Sequence, residues 1–187
     1  LLHGQIADLD LADLLPEAGP HEAAGSARMS VETLEFAEGR IVRLVGRLQA
    51  SDGRLSRSLF YAATRSLYCG LPGELTAANA EPFDELDLGF EMDGQGLTLR
   101  GWIPPPASAV GPAAVVRRGA EALLLAPRAG YERLPPVFLA QFVAGVDQRW
   151  QWHWVPASQD AARLFSLLPA QVGKPADSQQ ATSPESQ

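Results

Sequence analysis

The stretch FDELDLGFEM, residues 83–92, alternates apolar and polar side chains along most of its length. Such a period of two places the two kinds of side chain on opposite faces of a β-sheet. The turn sequence DGQG, residues 93–96, follows, and Leu97 and Leu99 then resume the alternation. Because Asp-Gly readily takes the positive φ of a tight turn, we predict a β-hairpin here. Its apolar face would carry Leu86, Leu88, Phe90 and Met92.

Other segments on both sides of this hairpin also indicate strands. Residues 6–11 alternate, as do residues 27–36 and 41–50, which are separated by the turn sequence AEGR. We expect the last of these strands to end at Ser51-Asp52-Gly53, another turn sequence. Residues 113–125 are typical of one strand, whereas the apolar run at 134–146 is ambiguous between helix and strand.

Two segments have helical spacing. Residues 56–68 place Leu59, Ala63 and Leu67 four residues apart, with Ser56 as a candidate N-cap. Residues 158–168 repeat this pattern. We therefore predict a mainly β (α+β) fold, in which long antiparallel strands form a curved sheet with a few packed helices.

Length and composition bound the domain organisation. The 187 residues are 46% apolar, which suits one globular domain, and we assign it to residues 1–172. Residues 173–187 are rich in Ser, Gln and Pro, so we predict a disordered tail. The longest apolar run, at 134–146, is shorter than the roughly 20 residues that a membrane-spanning helix needs. The formal charge of −7 disfavours nucleic acid as a partner.

A search for catalytic and ligand-binding motifs is negative. The sequence GQG at 94–96 begins like a dinucleotide loop, but a strand follows where a helix is required. The spacing of Asp8, Asp10 and Asp13 is similar to that of a calcium loop, but the glycine and the bidentate Glu of such a loop are missing, so we expect solvent-facing positions. We therefore predict no catalytic residue, no cofactor and no metal. A hydrolase built from His153 and distant carboxylates is a rival hypothesis.

The segment WQWHW, residues 150–154, is unusual. On an extended strand, Trp150, Trp152 and Trp154 would project from one face and form an aromatic strip. That strip could be an ordinary packed strand, a wall for an acyl chain, or an interface with a partner protein.

Two of these segments together resemble the C-terminal region of the AsmA-like (AsmA/TamB-related) bacterial envelope proteins. The first is GRLQASDGRL, residues 46–55, a strand and an Asp-Gly turn that lead into the helix predicted from Ser56. The second is the hairpin from FDEL at 83–86 through Asp-Gly to LTLRG at 97–101. The order of the two hairpin elements, separated by one helix, carries the resemblance.

The resemblance implies a non-enzymatic function: phospholipid transport between the inner and outer membranes, or outer-membrane biogenesis. It implies a periplasmic domain of a longer protein, held at the inner membrane by an N-terminal anchor. A phospholipid or other acyl-chain ligand would lie in an apolar β groove. The candidate groove residues are Leu86, Leu88, Phe90, Met92, Trp150, Trp152 and Trp154. The alternative is a protein-binding scaffold of an envelope assembly or secretion complex, with the apolar residues serving as core.

Overall fold

The computed structural model describes residues 2–15, 19–104, 113–128, 130 and 133–144. In this part of the chain, nine strands form one curved antiparallel sheet, accompanied by two α-helices and a short 3-10 helix. The mainly β fold predicted from the sequence is therefore confirmed.

The elements follow one another along the chain with these bounds. The strands are β1 (Leu2–Asp10), β2 (Ala23–Ala24), β3 (Ser26–Ala37), β4 (Arg40–Ser56), β5 (Cys69–Gly70), β6 (Ala80–Asp93), β7 (Gly96–Gly101), β8 (Ala114–Arg118) and β9 (Glu121–Pro127). The helices are α1 (Arg57–Ser66) and α2 (Val137–Ala144), and the 3-10 helix is Leu11–Leu14.

Seven of the strands lie side by side in the order β1-β3-β4-β6-β8-β9-β5. Strand β7 also pairs with β6, and the short β2 pairs with β4. The predicted hairpin is confirmed as β6–β7. At its turn, the Asp93 carboxylate accepts hydrogen bonds from the amides of Gln95 and Gly96, at 2.8 and 3.0 Å. The GQG sequence is therefore a hairpin turn.

Strand β4 does not end at Asp52-Gly53, which corrects the prediction. It stays paired with β6 in one register from Arg43 to Ser56, although Asp52 has a φ of 55°. The Asp-Gly step instead coincides with a change in which positions are buried. Phe83 and Leu86 both belong to the core, yet uninterrupted alternation would place residues three apart on opposite faces. Because of this change, β6 contributes both odd-numbered and even-numbered residues to the core.

Two further segments differ from their sequence-based predictions. Residues 113–125 form the hairpin β8–β9 rather than one strand, because the chain turns at Gly119, which has a φ of 57°. The Gly119 amide donates a hydrogen bond to the Asp84 carboxylate, which fastens this turn to β6. The ambiguous run at 134–146 contains the helix α2.

Helix α1 confirms the predicted helix with corrections to its detail. Phe60, Ala63 and Leu67 are buried, whereas Leu59 is half-buried. Ser56 occupies the N-cap position, but its side chain does not cap the helix. Its hydroxyl instead accepts a hydrogen bond from the Glu22 amide at 3.0 Å, so it joins the helix start to the preceding loop.

Several predictions fall on residues that the structure does not describe. They concern the tryptophan strip at 150–154, the helix at 158–168, His153 and the tail at 173–187, and they stay predictions. Among the described helices, neither has the length and apolar character needed to cross a membrane.

Candidate functional site

The sheet places apolar side chains in rows that cross its strands. In an antiparallel pair, residues directly opposite each other project from the same face. The register therefore joins apolar residues of β1, β3, β4, β6, β7 and β8 into one continuous surface, which we call the apolar face. One of its rows is Leu2–Leu34–Leu44–Met92–Leu97.

Three more rows run parallel to the first. They are Gly4–Val31–Gly46–Phe90–Leu99, then Ile6–Met29–Leu48–Leu88, and finally Leu9–Ala27–Ala50–Leu86–Val116. The apolar face thus extends over six strands, well beyond the single hairpin from which the sequence analysis began.

Cover over the apolar face is uneven. At its β7 side, Met92 and Leu97 are 2% and 1% exposed. At its β1 side, Leu2 and Ile6 are 60% and 47% exposed. Between them, the β3 and β4 members Met29, Val31, Leu34, Leu44 and Leu48 are half-buried. The described residues therefore cover one end of the apolar face and leave the other end open.

The predicted groove residues of β6 fall on both sides of this division. Leu86 and Met92 are buried in the core, at 7% and 2% exposure. Leu88 and Phe90 are half-buried, with one side packed against that core. Leu88 and Phe90 are thus the members of the set that can contribute to an open surface. Trp150, Trp152 and Trp154 lie outside the described residues.

Sequence reasoning missed the contribution of β3 and β4 to this surface. Met29, Leu34 and Leu48 alternate with polar residues in the segments predicted as strands, so the signal was present. What the sequence did not supply was the pairing register that aligns them with Leu88 and Phe90.

The opposite face of the sheet, which we call the polar face, carries a compact charged cluster. The Arg47 guanidinium donates two hydrogen bonds to the Asp87 carboxylate, at 2.6 and 2.5 Å. The Gln49 amide donates a third at 3.2 Å. The guanidinium also lies 4.6 Å from the ring centroid of Trp102, which is 54% exposed. Hydrogen bonding to Asp87 raises the pKa of Arg47, so this charge persists at every relevant pH.

A serine and a histidine meet where the start of α1 contacts α2. His21 Nδ1 lies 3.0 Å from the Ser58 hydroxyl, and His21 Nε2 lies 3.0 Å from the Phe142 carbonyl oxygen. Since a carbonyl only accepts, Nε2 carries the proton of this bond. The Ser58 hydroxyl is also 2.8 Å from the Pro20 carbonyl and 2.9 Å from the Ser56 hydroxyl. These contacts tie a loop and two helices together.

Two further places where chemistry could reside are the three aspartates near the start of the chain and Cys69, its single cysteine. Asp8, Asp10 and Asp13 are exposed, and Asp10 accepts a hydrogen bond from the Ala12 amide at 2.9 Å. Among the described residues, no group of His, Cys, Asp and Glu is placed to hold a metal ion. Burial raises the pKa of Cys69 to about 12, which leaves it a protonated, inert thiol at neutral pH.

Comparisons with known proteins found no matching family model, no matching curated protein and no matching solved structure.

Proposed function

We propose that this chain is a non-enzymatic domain of an envelope protein that shields acyl chains of phospholipid on its apolar face. The proposal places it in the periplasm and, in the full-length protein, at the inner membrane through an anchor. Two lines support it: the resemblance of residues 46–55 and 83–101 to AsmA-like proteins, and the open end of the apolar face. The second line carries the proposal, because it concerns the surface that a lipid would contact.

The open end has the physical properties that an acyl chain requires. Its side chains are aliphatic or aromatic, and their rows cross several strands without an interrupting charge. Exposed apolar patches of this kind are costly in water and typically mark an interaction surface. Covering them with a methylene chain recovers about 25 cal/mol for each Å² of apolar surface removed from water.

The strand order also leaves a route by which a ligand can reach this surface. Strand β1 is the last strand on its side of the sheet, and among the described elements only β3 pairs with it. A ligand can therefore reach the half-buried side chains of β3 and β4 from the β1 side. The headgroup would remain in water, where its charge is solvated.

The test is lipid retention by the protein purified without detergent from a double-membraned bacterium. Native mass spectrometry and lipid extraction should detect stoichiometric phospholipid. Ile6→Asp introduces a charge on the apolar face and should abolish retention. Gln5→Asp is the matched control, since Gln5 is the exposed neighbour on β1 that pairs with Ser30 on the other face.

Two results would contradict this function. Clean apo protein from the wild-type chain would remove the lipid proposal. Equal retention by Ile6→Asp and Gln5→Asp proteins would place any bound lipid away from the β1 side of the apolar face. Because both positions are exposed, both variants should fold.

The second candidate is a protein-binding scaffold without lipid, and the edge of β1 favours it. An unpaired edge presents backbone groups that a strand of a partner protein can continue. Lipid-free wild-type protein that captures an extended peptide along β1 would favour the scaffold over the lipid function.

A further inference from the structure

Trp102 on the polar face occupies an unusual position for a large aromatic residue. It is 54% exposed, yet two contacts define its position. Its backbone amide donates to the Asp87 carbonyl at 3.3 Å. Its indole lies over Gly89, where an added Cβ would approach the ring nitrogen to 2.5 Å. The absence of a side chain at Gly89 therefore provides the space in which the indole lies.

Arg47 fixes the ring further. The guanidinium lies against the indole while both of its bonds to Asp87 hold it in place. Asp87 is itself only 5% exposed, so the pair is a rigid support rather than two mobile surface chains. We call the surface formed by Trp102, Gly89, Arg47 and Asp87 the Trp102 platform.

A small cavity of about 150 Å³ adjoins the platform. Its charged lining residues are Glu32, Arg47, Glu91 and Arg100. Positive and negative groups are equal in number there. Arg47 and Glu91 are moreover paired outside the cavity, with Asp87 and with Arg43. A cavity with this balance does not select an ion of either sign, but it offers many hydrogen-bond donors and acceptors to a neutral ligand.

We propose that the Trp102 platform binds a pyranose ring of a neutral saccharide. A sugar ring has an apolar face of C–H groups, which stacks on an exposed indole, and a rim of hydroxyls, which need donors and acceptors together. The platform supplies the indole, and the adjoining cavity supplies the guanidinium and carboxylate groups. This inference rests on the polar face alone and is independent of lipid binding on the apolar face.

A larger cleft lies farther along the same strands, and Asp87 of the platform is one of its lining residues. It has a volume of about 470 Å³ and includes the cross-strand row Arg28–Gln49–Asp87. Asp87 is shared, since it lines this cleft and also holds Arg47 beneath the indole. The cleft is the place for a second sugar unit, so the site fits an oligosaccharide better than a monosaccharide.

The experiment is a titration followed by two-dimensional ¹⁵N–¹H NMR, with cellobiose, maltose and chitobiose as probes. The Trp102 indole signal is identified by its loss in the Trp102→Phe variant. At least one disaccharide should shift this signal in a saturable manner. Trp102→Ala should weaken that binding by roughly five- to tenfold, the share of one aromatic stacking contact.

Tyr61 provides a matched control. It is another exposed aromatic residue with a guanidinium near its ring, that of Arg57 at 5.8 Å, but it lies on helix α1. Tyr61→Ala should leave saccharide binding unchanged. Gly89→Ala tests the platform without removing its tryptophan, because the new methyl group displaces the indole. It should weaken binding while the far-UV circular dichroism spectrum stays that of the wild type.

Three outcomes would overturn the proposal. The first is that none of the three disaccharides, added up to its own solubility limit, shifts the Trp102 signal. The second is that inorganic phosphate or acetate shifts the signal while the neutral sugars do not, which indicates an anion site. The third is that Tyr61→Ala and Trp102→Ala weaken binding equally, which indicates binding elsewhere.

Discussion

The covered and open ends of the apolar face are made of the same chemistry, and they differ in what packs on them. In one row, exposure falls from 60% at Leu2 to half-burial at Leu34 and to 1% at Leu97. The alternation that builds the face is alike at both ends. An alternating strand therefore defines an apolar face, while burial of that face depends on elements that are distant in sequence.

At the β7 side, Leu134 pairs directly with Leu97, and the helix α2 that follows packs against the same core. Leu134 exchanges two backbone hydrogen bonds with Leu97, at 2.6 and 2.7 Å. The rings of Phe138 and Tyr68 lie 6.2 Å apart, and His21 holds the Phe142 carbonyl. No described element makes equivalent contacts over β1 and β3. Substitutions can therefore test whether the same residue type contributes differently to the free energy of unfolding at the two ends.

The largest effect on the free energy of unfolding is expected from replacing the leucines of this one row with alanine. Leu97→Ala should lower the free energy of unfolding by about 3 kcal/mol, because it removes a fully buried side chain and leaves a cavity. Leu34→Ala should cost about 1 kcal/mol, since that side chain is half-buried already. Leu2→Ala should change it by less than about 0.5 kcal/mol.

Urea unfolding of the three variants measures these differences. A cost at Leu2 or Leu34 equal to that at Leu97 would contradict the open end, because it would mean that something covers β1 and β3 as well. Added phospholipid offers a second measurement. If lipid occupies the open end, it should stabilise the wild-type chain more than the Leu34→Ala variant.

A smaller effect is expected from a contrast between two ion pairs. Arg118 bonds to Glu81 at 3.0 Å, and Glu81 is 0% exposed. Arg43 bonds to Glu91 at 3.1 Å, and both are partly exposed. Arg118→Met should destabilise the fold by about 2 kcal/mol, because the buried carboxylate loses its counter-charge while keeping the Ala77 amide as a donor.

Arg43→Met is the control for this contrast. A solvent-exposed pair contributes less than about 1 kcal/mol, and salt weakens it further. Unfolding measured at low and high salt should therefore separate the two variants. If Arg43→Met destabilises the chain as much as Arg118→Met does, burial is not what distinguishes these pairs.

Much of the sheet could be predicted from the sequence because several of its strands are long and alternate over most of their length. The hairpin β6–β7 and the strands β3 and β4 follow from local pattern and turn chemistry. The prediction failed at Asp52-Gly53. An Asp-Gly pair usually ends a strand, but here cross-strand pairing with β6 continues through it, and Phe83 packs over Gly53. A tertiary contact thus overrode a local signal.

The candidate sites were less accessible to prediction than the sheet. Leu88 and Phe90 could be assigned to an apolar face, but groove and core need the same alternation, so the sequence could not separate them. The Trp102 platform depends on Arg47, Asp87 and Gly89 meeting across strands. Trp102 follows the end of β7, where the local pattern does not indicate which face the indole takes.

The smallest expected effect is a dependence of stability on pH at the covered end, through His21. Burial lowers the pKa of His21 below 6.5, and this outweighs the hydrogen bond to the Phe142 carbonyl, which raises it. Between the folded pKa and 6.5, the unfolded chain therefore binds more protons than the folded chain does. Stability should decline as the pH falls through 6.5 and level off below the folded pKa.

His21→Gln isolates this contribution, because glutamine keeps a donor for the Phe142 carbonyl but does not titrate. The free energy of unfolding, measured by urea at a pH above and a pH below 6.5, should fall more for the wild type than for the variant. An equal fall in both would mean that His21 is not the group responsible. His21 bonds to α2, and the Leu97 amide donates to the Leu134 carbonyl just before α2. The same acidification should therefore speed hydrogen exchange at the Leu97 amide before it does so at the amides of β3.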